Sequence, residues 1–378
     1  MPWVIALIIA GMIVGPFGLG VFHSNETIDF MGQIGLIFLM FMAGLETKLS
    51  TFSKLKNNIG ILAIANGLIP FGVGLFVGLA FDMPLQSALL LGIIYISSSV
   101  AVIIPSLESN GLLHTPLGKS IISATIVEDI ASLLMLSVFL QTVNPTTSLP
   151  LPLFYLLLVI VLFFLRIALP KVRSLFIQKT KDKADIFQQE LRVILVILIG
   201  TVVSFELLGL HSLIAGFFAG LVLSDSIKSD ILIEKLRTIS YGLFIPVFFV
   251  IIGTQTDIFV FSKAGSSILL VLVVVISSIL AKLVSGYLGG RAAKFTKKES
   301  LVIGVATTAQ LSTTLAVVFT GVELGILSEE LSIAMVILSI VTIFIAPLAI
   351  NKFSKQIPQV EVVYTPEEEV EQAKKTMI

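Results

Sequence analysis

The sequence predicts an all-α membrane protein of about twelve transmembrane helices. Three observations predict it: the composition, the spacing of apolar runs, and the sorting of charge between them. Of 378 residues, 56% are hydrophobic and 13% are charged, and the mean hydropathy is +1.06. A soluble domain carries about a quarter charged residues, which its solvated surface needs. The apolar runs fall at 2–19, 28–45, 58–80, 85–106, 117–140, 151–169, 190–209, 211–225, 238–254, 264–290, 299–321 and 330–351. Most are near the roughly 17–25 residues that cross a hydrocarbon core. Lys and Arg gather in alternate connections, placing 22 of the 24 basic residues on one side. The positive-inside rule makes that side cytoplasmic. A miscounted span would scramble this parity, so both termini are expected in the cytoplasm.

Taken in order, the segments carry the following features. The first begins at Met1-Pro2-Trp3, with no basic stretch before its apolar run, so no secretory signal is read; it ends at Gly15-Pro16. The fourth holds Ser97, Ser98 and Ser99 in a row, with Pro105 behind. The fifth holds Glu128 and Asp129, and the seventh has Glu206 near its outer end. The eighth is short, between Gly209 and Asp225, and the ninth contains Pro246. The tenth holds Lys282, and the eleventh holds Thr307, Thr308, Gln310, Ser312, Thr313 and Thr314. Residues 170–190 read as an amphipathic cytoplasmic linker. Residues 1–353 form the transmembrane domain, with core helices within 58–140 and 264–351, and 354–378 form a polar cytoplasmic tail.

The hydroxyl-rich stretches of the fourth and eleventh segments read as discontinuous helices at a midplane site, since irregular backbone survives at that depth only against protein or a water-filled cavity. They lie seven spans apart and so run in opposite directions, as inverted repeats with two discontinuous crossing helices require. Close packing between helices is the other reading of such Ser and Thr. Glu128, Asp129 and Lys282 are charges inside lipid-spanning segments, which by default mark an ion or proton pathway. A zero net charge gives no global field for nucleic acid. With no cysteine, disulfides and thiolate metal sites are excluded. His23, His114 and His211 are too scattered for a metal cluster, and no phosphate loop or nucleophile-and-base pair suggests an enzyme or a bound cofactor.

Asp129 reads as the principal ion carrier. Thr125 and Ser132 share its helix face at i−4 and i+3, and carboxylate and hydroxyl oxygens suit a hard cation. Proton and cation would compete for one carboxylate, which is sufficient for exchange. Glu128 points about 100° away, and the two acids are expected to titrate as a coupled pair. A buried Lys282 needs an acid nearby. Ser98, Ser99, Thr308 and Gln310 are further candidate ligands at the breaks. Glu206, Glu46 and His211 are boundary residues with a weaker functional reading.

Several stretches resemble one known family. PWVIALIIAGMIVGP (2–16), IFLMFMAGLET (37–47), ATIVEDIA (124–131), LIAGFFAGLVLSD (213–225) and PVFFVIIGTQTD (246–257) are similar to the monovalent cation:proton antiporter superfamily, in its Kef- and NapA-like branch. Ala281-Lys282 with Gly286 and Gly289-Gly290 falls where NapA-like members carry a helix-10 lysine. The resemblance covers nearly the whole chain. It implies an NhaA- and NapA-like fold, a homodimer in a prokaryotic inner or plasma membrane, and Na⁺ (or Li⁺) exchanged for H⁺. It also implies Lys282 as partner of Glu128, a pair that opens when the ion binds; a purely structural ion pair is the alternative. The chain begins where thirteen-helix members have their second helix. The acidic pair is Glu-Asp rather than Asp-Asp, Asn-Asp or Gln-Asp, and Ser312 stands where the family often has glutamate. Two rival readings stay open: K⁺/H⁺ exchange or Kef-like K⁺ efflux, favoured by Gln310 but without a nucleotide-binding domain after the last span, and a non-transporting sensor of the same fold.

Overall fold

The computed structural model describes residues 3–23, 25–46, 57–113, 115–143, 189–207, 212–224, 230–256 and 265–355, with isolated positions between 145 and 160 and at 227. The described residues are helical, with no strand among them. In chain order the helices are α1 (Trp3–Val14), α2 (Glu26–Glu46), α3 (Asn57–Ala80), α4 (Leu85–Ile96), α5 (Val100–Glu108), α6 (Pro116–Val143) and α7 (Gln189–Leu207). They continue as α8 (Ser212–Ser224), α9 (Asp230–Ile239), α10 (Ile245–Thr254), α11 (Gly265–Ala292), α12 (Lys297–Thr307), α13 (Ser312–Glu323) and α14 (Glu329–Ser354). Seven helical stretches among the described residues are long and apolar enough to cross a membrane, counting α9–α10 and α12–α13 as one each. The expected sixth segment, the 170–190 linker and the tail beyond 355 lie almost wholly outside the described residues, as do His114, His211 and the Glu46 side chain.

Local chemistry explains the breaks and ends. The fourth segment is two helices, α4 and α5, interrupted at Ser97–Ser99. The eleventh is α12 and α13, interrupted at Thr308–Leu311, where Leu311 takes φ −151° and ψ −89°. The ninth segment starts at Asp230, eight residues before the expected 238, because DILIEKLR is amphipathic and extends the helix into the charged connection. A π-turn at Ser240–Phe244 joins α9 to α10, with the Ile245 N–H donating to the Ser240 carbonyl. It precedes Pro246, whose missing N–H cannot continue the regular ladder. Thr296 caps α12: its hydroxyl accepts from the Glu299 N–H at 3.3 Å, while the Glu299 carboxylate accepts from the Thr296 N–H at 2.8 Å.

The helices sort by packing into two groups. In one, α3 packs on α4, α6 and α11, and α11 packs on α12 and α14. In the other, α2 packs on α8 and α10, α1 on α10, and α7 on α8. The groups meet where α13 lies against α2 and α8. On α11, Leu272, Ile276, Leu280, Val284 and Leu288 are exposed in steps of four, while Ser278, Lys282 and Ser285 are buried on the opposite face. Such an apolar stripe suits hydrocarbon as its solvent and would be a liability in water.

Close approach of α11 and α12 depends on glycine. A Cβ at Gly286 would come 2.6 Å from the Gly304 Cα. Neither backbone can yield without moving its helix, so Gly286→Ala is expected to cost about 1–3 kcal/mol. A melt of the purified protein checks this, and an unchanged midpoint would mean that the two helices are not held at this distance.

Candidate functional site

The two breaks meet. The Ser99 N–H donates to the Ala309 carbonyl at 2.6 Å, and the Ser98 hydroxyl lies 2.9 Å from the Thr307 carbonyl. Interrupting a helix frees backbone groups that must find partners inside the bilayer. Here each break supplies partners to the other.

Next to the breaks, α6 delivers Glu128 and α11 delivers Lys282. The Lys282 ammonium donates to Glu128 Oε2 at 3.0 Å, and both side chains are fully buried. Lys282 also donates to Ser98 Oγ at 2.9 Å and to the Ile96 carbonyl at the end of α4. The second Glu128 oxygen accepts from Asn66 Nδ2 at 2.7 Å, and Ser98 Oγ lies 3.1 Å from Oε2. Desolvating two charges costs several kcal/mol each, and only such saturation with hydrogen bonds offsets that. The pair is therefore neutralised and fully bonded.

Asp129 differs, although it is the next residue. Its side chain is half-buried, and Oδ1 faces the Ser97 hydroxyl at 3.4 Å, a long contact. The Lys282 ion pair is with Glu128 and not with Asp129. The 100° between successive helix positions separates the two carboxylates.

The other candidates divide. Ser99 Oγ and Thr125 Oγ1 are buried and have no hydrogen-bond partner among the described residues. Ser132 Oγ donates to the Asp129 backbone carbonyl at 2.9 Å, and Thr308 Oγ1 donates to the Val305 carbonyl at 2.7 Å. Both hydroxyl protons are thus spent on helix backbone. Gln310 is part of the second break: its amide nitrogen is 3.2 Å from Ser278 Oγ and 3.5 Å from the Tyr95 carbonyl. Its backbone N–H donates to Thr342 Oγ1 at 3.2 Å. Gln310 therefore ties the breaks to α11 and α14. Glu206 is exposed in the last turn of α7, a helix that packs on α8 and α9.

Two residues join the site that sequence reasoning passed over. Ser97 is the first of the three serines already noted, yet it is the one that faces Asp129. Asn66 is a lone amide within the apolar run of α3 and is fully buried. An unaccompanied amide at membrane depth was the available signal for it.

A bundle whose broken helices meet beside an intramembrane acid pair and a buried lysine defines a class, the ion-coupled secondary transporters. Residues 1–355 match the family described as sodium/hydrogen exchanger, transmembrane, and the chain belongs to that family. It is 32% identical over 360 residues to a Na⁺/H⁺ antiporter of Enterococcus hirae, covering 94% of this chain and 93% of that one. It is 30% identical over 363 residues to the probable Na⁺/H⁺ antiporter 3 of Methanocaldococcus jannaschii, covering 93% and 90%. Its fold is similar to that of the sodium proton antiporter MjNhaP1 from the same archaeon, solved at pH 8. The TM-score is 0.72 at 18% identity, over 94% of this chain and 92% of that one.

Proposed function

We propose that this chain is a secondary active antiporter that exchanges Na⁺ (or Li⁺) for H⁺ by alternating access, with the Asp129 carboxylate taking proton and cation in turn. One observation carries the reading. Of two adjacent intramembrane carboxylates, Glu128 is saturated by Lys282, Asn66 and Ser98, whereas Asp129 is half-buried and faces a hydroxyl at 3.4 Å. A carboxylate with no ammonium bonded to it can bind a cation or a proton, but not both. The unpartnered Ser99 and Thr125 oxygens offer the hard ligands that Na⁺ takes. The relatives from E. hirae and M. jannaschii, named for Na⁺/H⁺ antiport, support the same ion pair.

In this reading the chain crosses the membrane twelve times, with both termini cytoplasmic. The broken helices α4–α5 and α12–α13 cross at the midplane, and two copies associate through the α1, α2 and α7–α10 group. The group of α3–α6 and α11–α14 moves against it, carrying Asp129 from one side to the other. The proton gradient drives the cycle. Two protons against one Na⁺ would move one net charge, worth about 2.3 kcal/mol per 100 mV.

The test is dissipation of a pH gradient across proteoliposomes on addition of Na⁺, Li⁺ or K⁺. Na⁺ and Li⁺ are expected to move protons. A response to K⁺ alone would replace this reading with K⁺/H⁺ exchange, to which Gln310 at the second break points. Silence with every cation from folded protein would overturn antiport and leave a sensor of the same fold.

A further inference from the structure

We infer that Asn66 is a positioning residue that keeps Lys282 on Glu128 and thereby leaves Asp129 to the transported cation; this rests on the exchange reading above. Asn66 lies on α3 where that helix packs against both α6 and α11, and it reaches each partner with a different group. Its Nδ2 donates to Glu128 Oε1 at 2.7 Å. Its Oδ1 accepts from the Ser285 hydroxyl at 2.5 Å. Its backbone carbonyl accepts from the Lys282 ammonium at 3.4 Å.

These contacts allow one orientation of the amide. Rotating it by 180° would set Oδ1 against the Glu128 carboxylate, two acceptors facing with no proton between them. The Ser285 hydroxyl does not choose between the two orientations, since it could accept from the amide nitrogen while donating to the Lys282 carbonyl at 3.1 Å. Glu128, an acceptor only, therefore aims the Nδ2 donor, and the Ser285 hydroxyl holds the amide in place from the other side. That donor pins the carboxylate plane, because Oε1 is held from α3 while Oε2 is held by Lys282 and Ser98.

The consequence is a choice between neighbours. Lys282 could neutralise either acid of the Glu128-Asp129 pair. An ammonium on Asp129 would exclude Na⁺ from the carboxylate it must reach. Asn66 tips that choice twice: it holds Glu128 in place to receive the ammonium, and it offers the ammonium its own carbonyl. Lys282, Ser285 and Ser278 share one face of α11 at helical spacing, so the register of this stripe against α3 is set at the same contact.

The experiment measures Na⁺-driven proton movement in proteoliposomes for wild type, Asn66→Leu and Ser285→Ala. Leucine keeps the branching of asparagine, with larger methyl groups in place of the amide oxygen and nitrogen, and cannot donate. Losing one hydrogen bond to a charged group should raise the half-saturating Na⁺ concentration about tenfold in Asn66→Leu. Ser285→Ala keeps the amide but removes the bond that holds it in place, and a smaller rise of roughly two- to threefold is expected. The Na⁺ concentration that half-saturates thermal stabilisation of the purified protein should move by the same factors. A purely structural role would lower the maximal rate with the amount of folded protein and leave both half-saturation values in place, which would overturn the inference while exchange itself stands. Should Asn66→Leu not fold, an unchanged value in folded Ser285→Ala overturns it equally. A silent wild type overturns the exchange reading and this inference together.

Discussion

Asp129→Asn is expected to reduce cation-driven proton movement to the level of protein-free liposomes. The amide is nearly isosteric with the carboxylate and can still accept from Ser97 Oγ at the observed 3.4 Å, so the helices keep their packing. What is lost is the negative charge and the exchangeable proton. Giving up roughly 3 kcal/mol of charge-assisted cation binding is already about a hundredfold. Without a proton carrier the counter-ion step has no route at all. Retained exchange in folded Asp129→Asn would transfer the carrier role to Glu128 and overturn the division of labour between the two acids. Competition for one carboxylate also sets the sign of the pH response. As pH falls, protons displace Na⁺, so the half-saturating Na⁺ concentration in wild type should rise towards acid.

Lys282→Met should produce the largest loss of stability. Lys282 and Glu128 are both fully buried at 3.0 Å, and removing one partner leaves the other charge unpaired in a low dielectric. Broken pairs of this kind cost about 3–5 kcal/mol. The double variant Lys282→Met with Glu128→Gln should recover much of that, because no charge is then left buried and an amide can still meet Ser98. The midpoints of thermal melts for the two single variants and the double variant decide it. If the double variant is no more stable than Lys282→Met, the ion pair is not what Lys282 contributes, and its bonds to the Ile96 carbonyl and Ser98 hydroxyl dominate instead.

The two variants separate the roles of neighbouring acids. Asp129→Asn should spare the melt and abolish exchange, whereas Lys282→Met should lower the melt whatever its effect on exchange. Such a split follows from geometry: Glu128 is bonded to the Lys282 ammonium, whereas Asp129 meets the Ser97 hydroxyl and the Ser98 backbone N–H.

Parts of this arrangement were legible in the chain. The breaks could be located because Ser97–Ser99 and the hydroxyl-rich Thr307–Thr314 stretch interrupt apolar runs, and freed backbone at membrane depth needs polar company. Glu128, Asp129 and Lys282 stood out because charge in lipid is costly wherever it occurs. Three things did not follow. Ser98 and Ser99 were weighed as ligands and Ser97 was not, since the phase of an interrupted backbone cannot be read from helical spacing. Gln310 reads as a ligand in the sequence, yet it reaches Ser278 and the Tyr95 carbonyl. Asn66 does not stand out because an amide within an apolar helix has many harmless explanations until its partners are known. The early start of α9 was missed because loop charge and an amphipathic first turn look alike in sequence.

What sequence alone determined is local in its physics. Membrane class, the places where helices break and the presence of two acids and a lysine inside lipid all follow from bilayer thickness and the cost of burying charge. The likeness to a family, and not residue spacing, pointed Lys282 at Glu128. Tertiary structure decided which acid is saturated. That depends on the rotation of α6 against α3 and α11, and a turn of 100° would exchange the two carboxylates. No residue of α6 encodes the rotation by itself. It is set where Asn66, Ser285 and Lys282, brought together from two distant helices, close around Glu128 and leave its neighbour open.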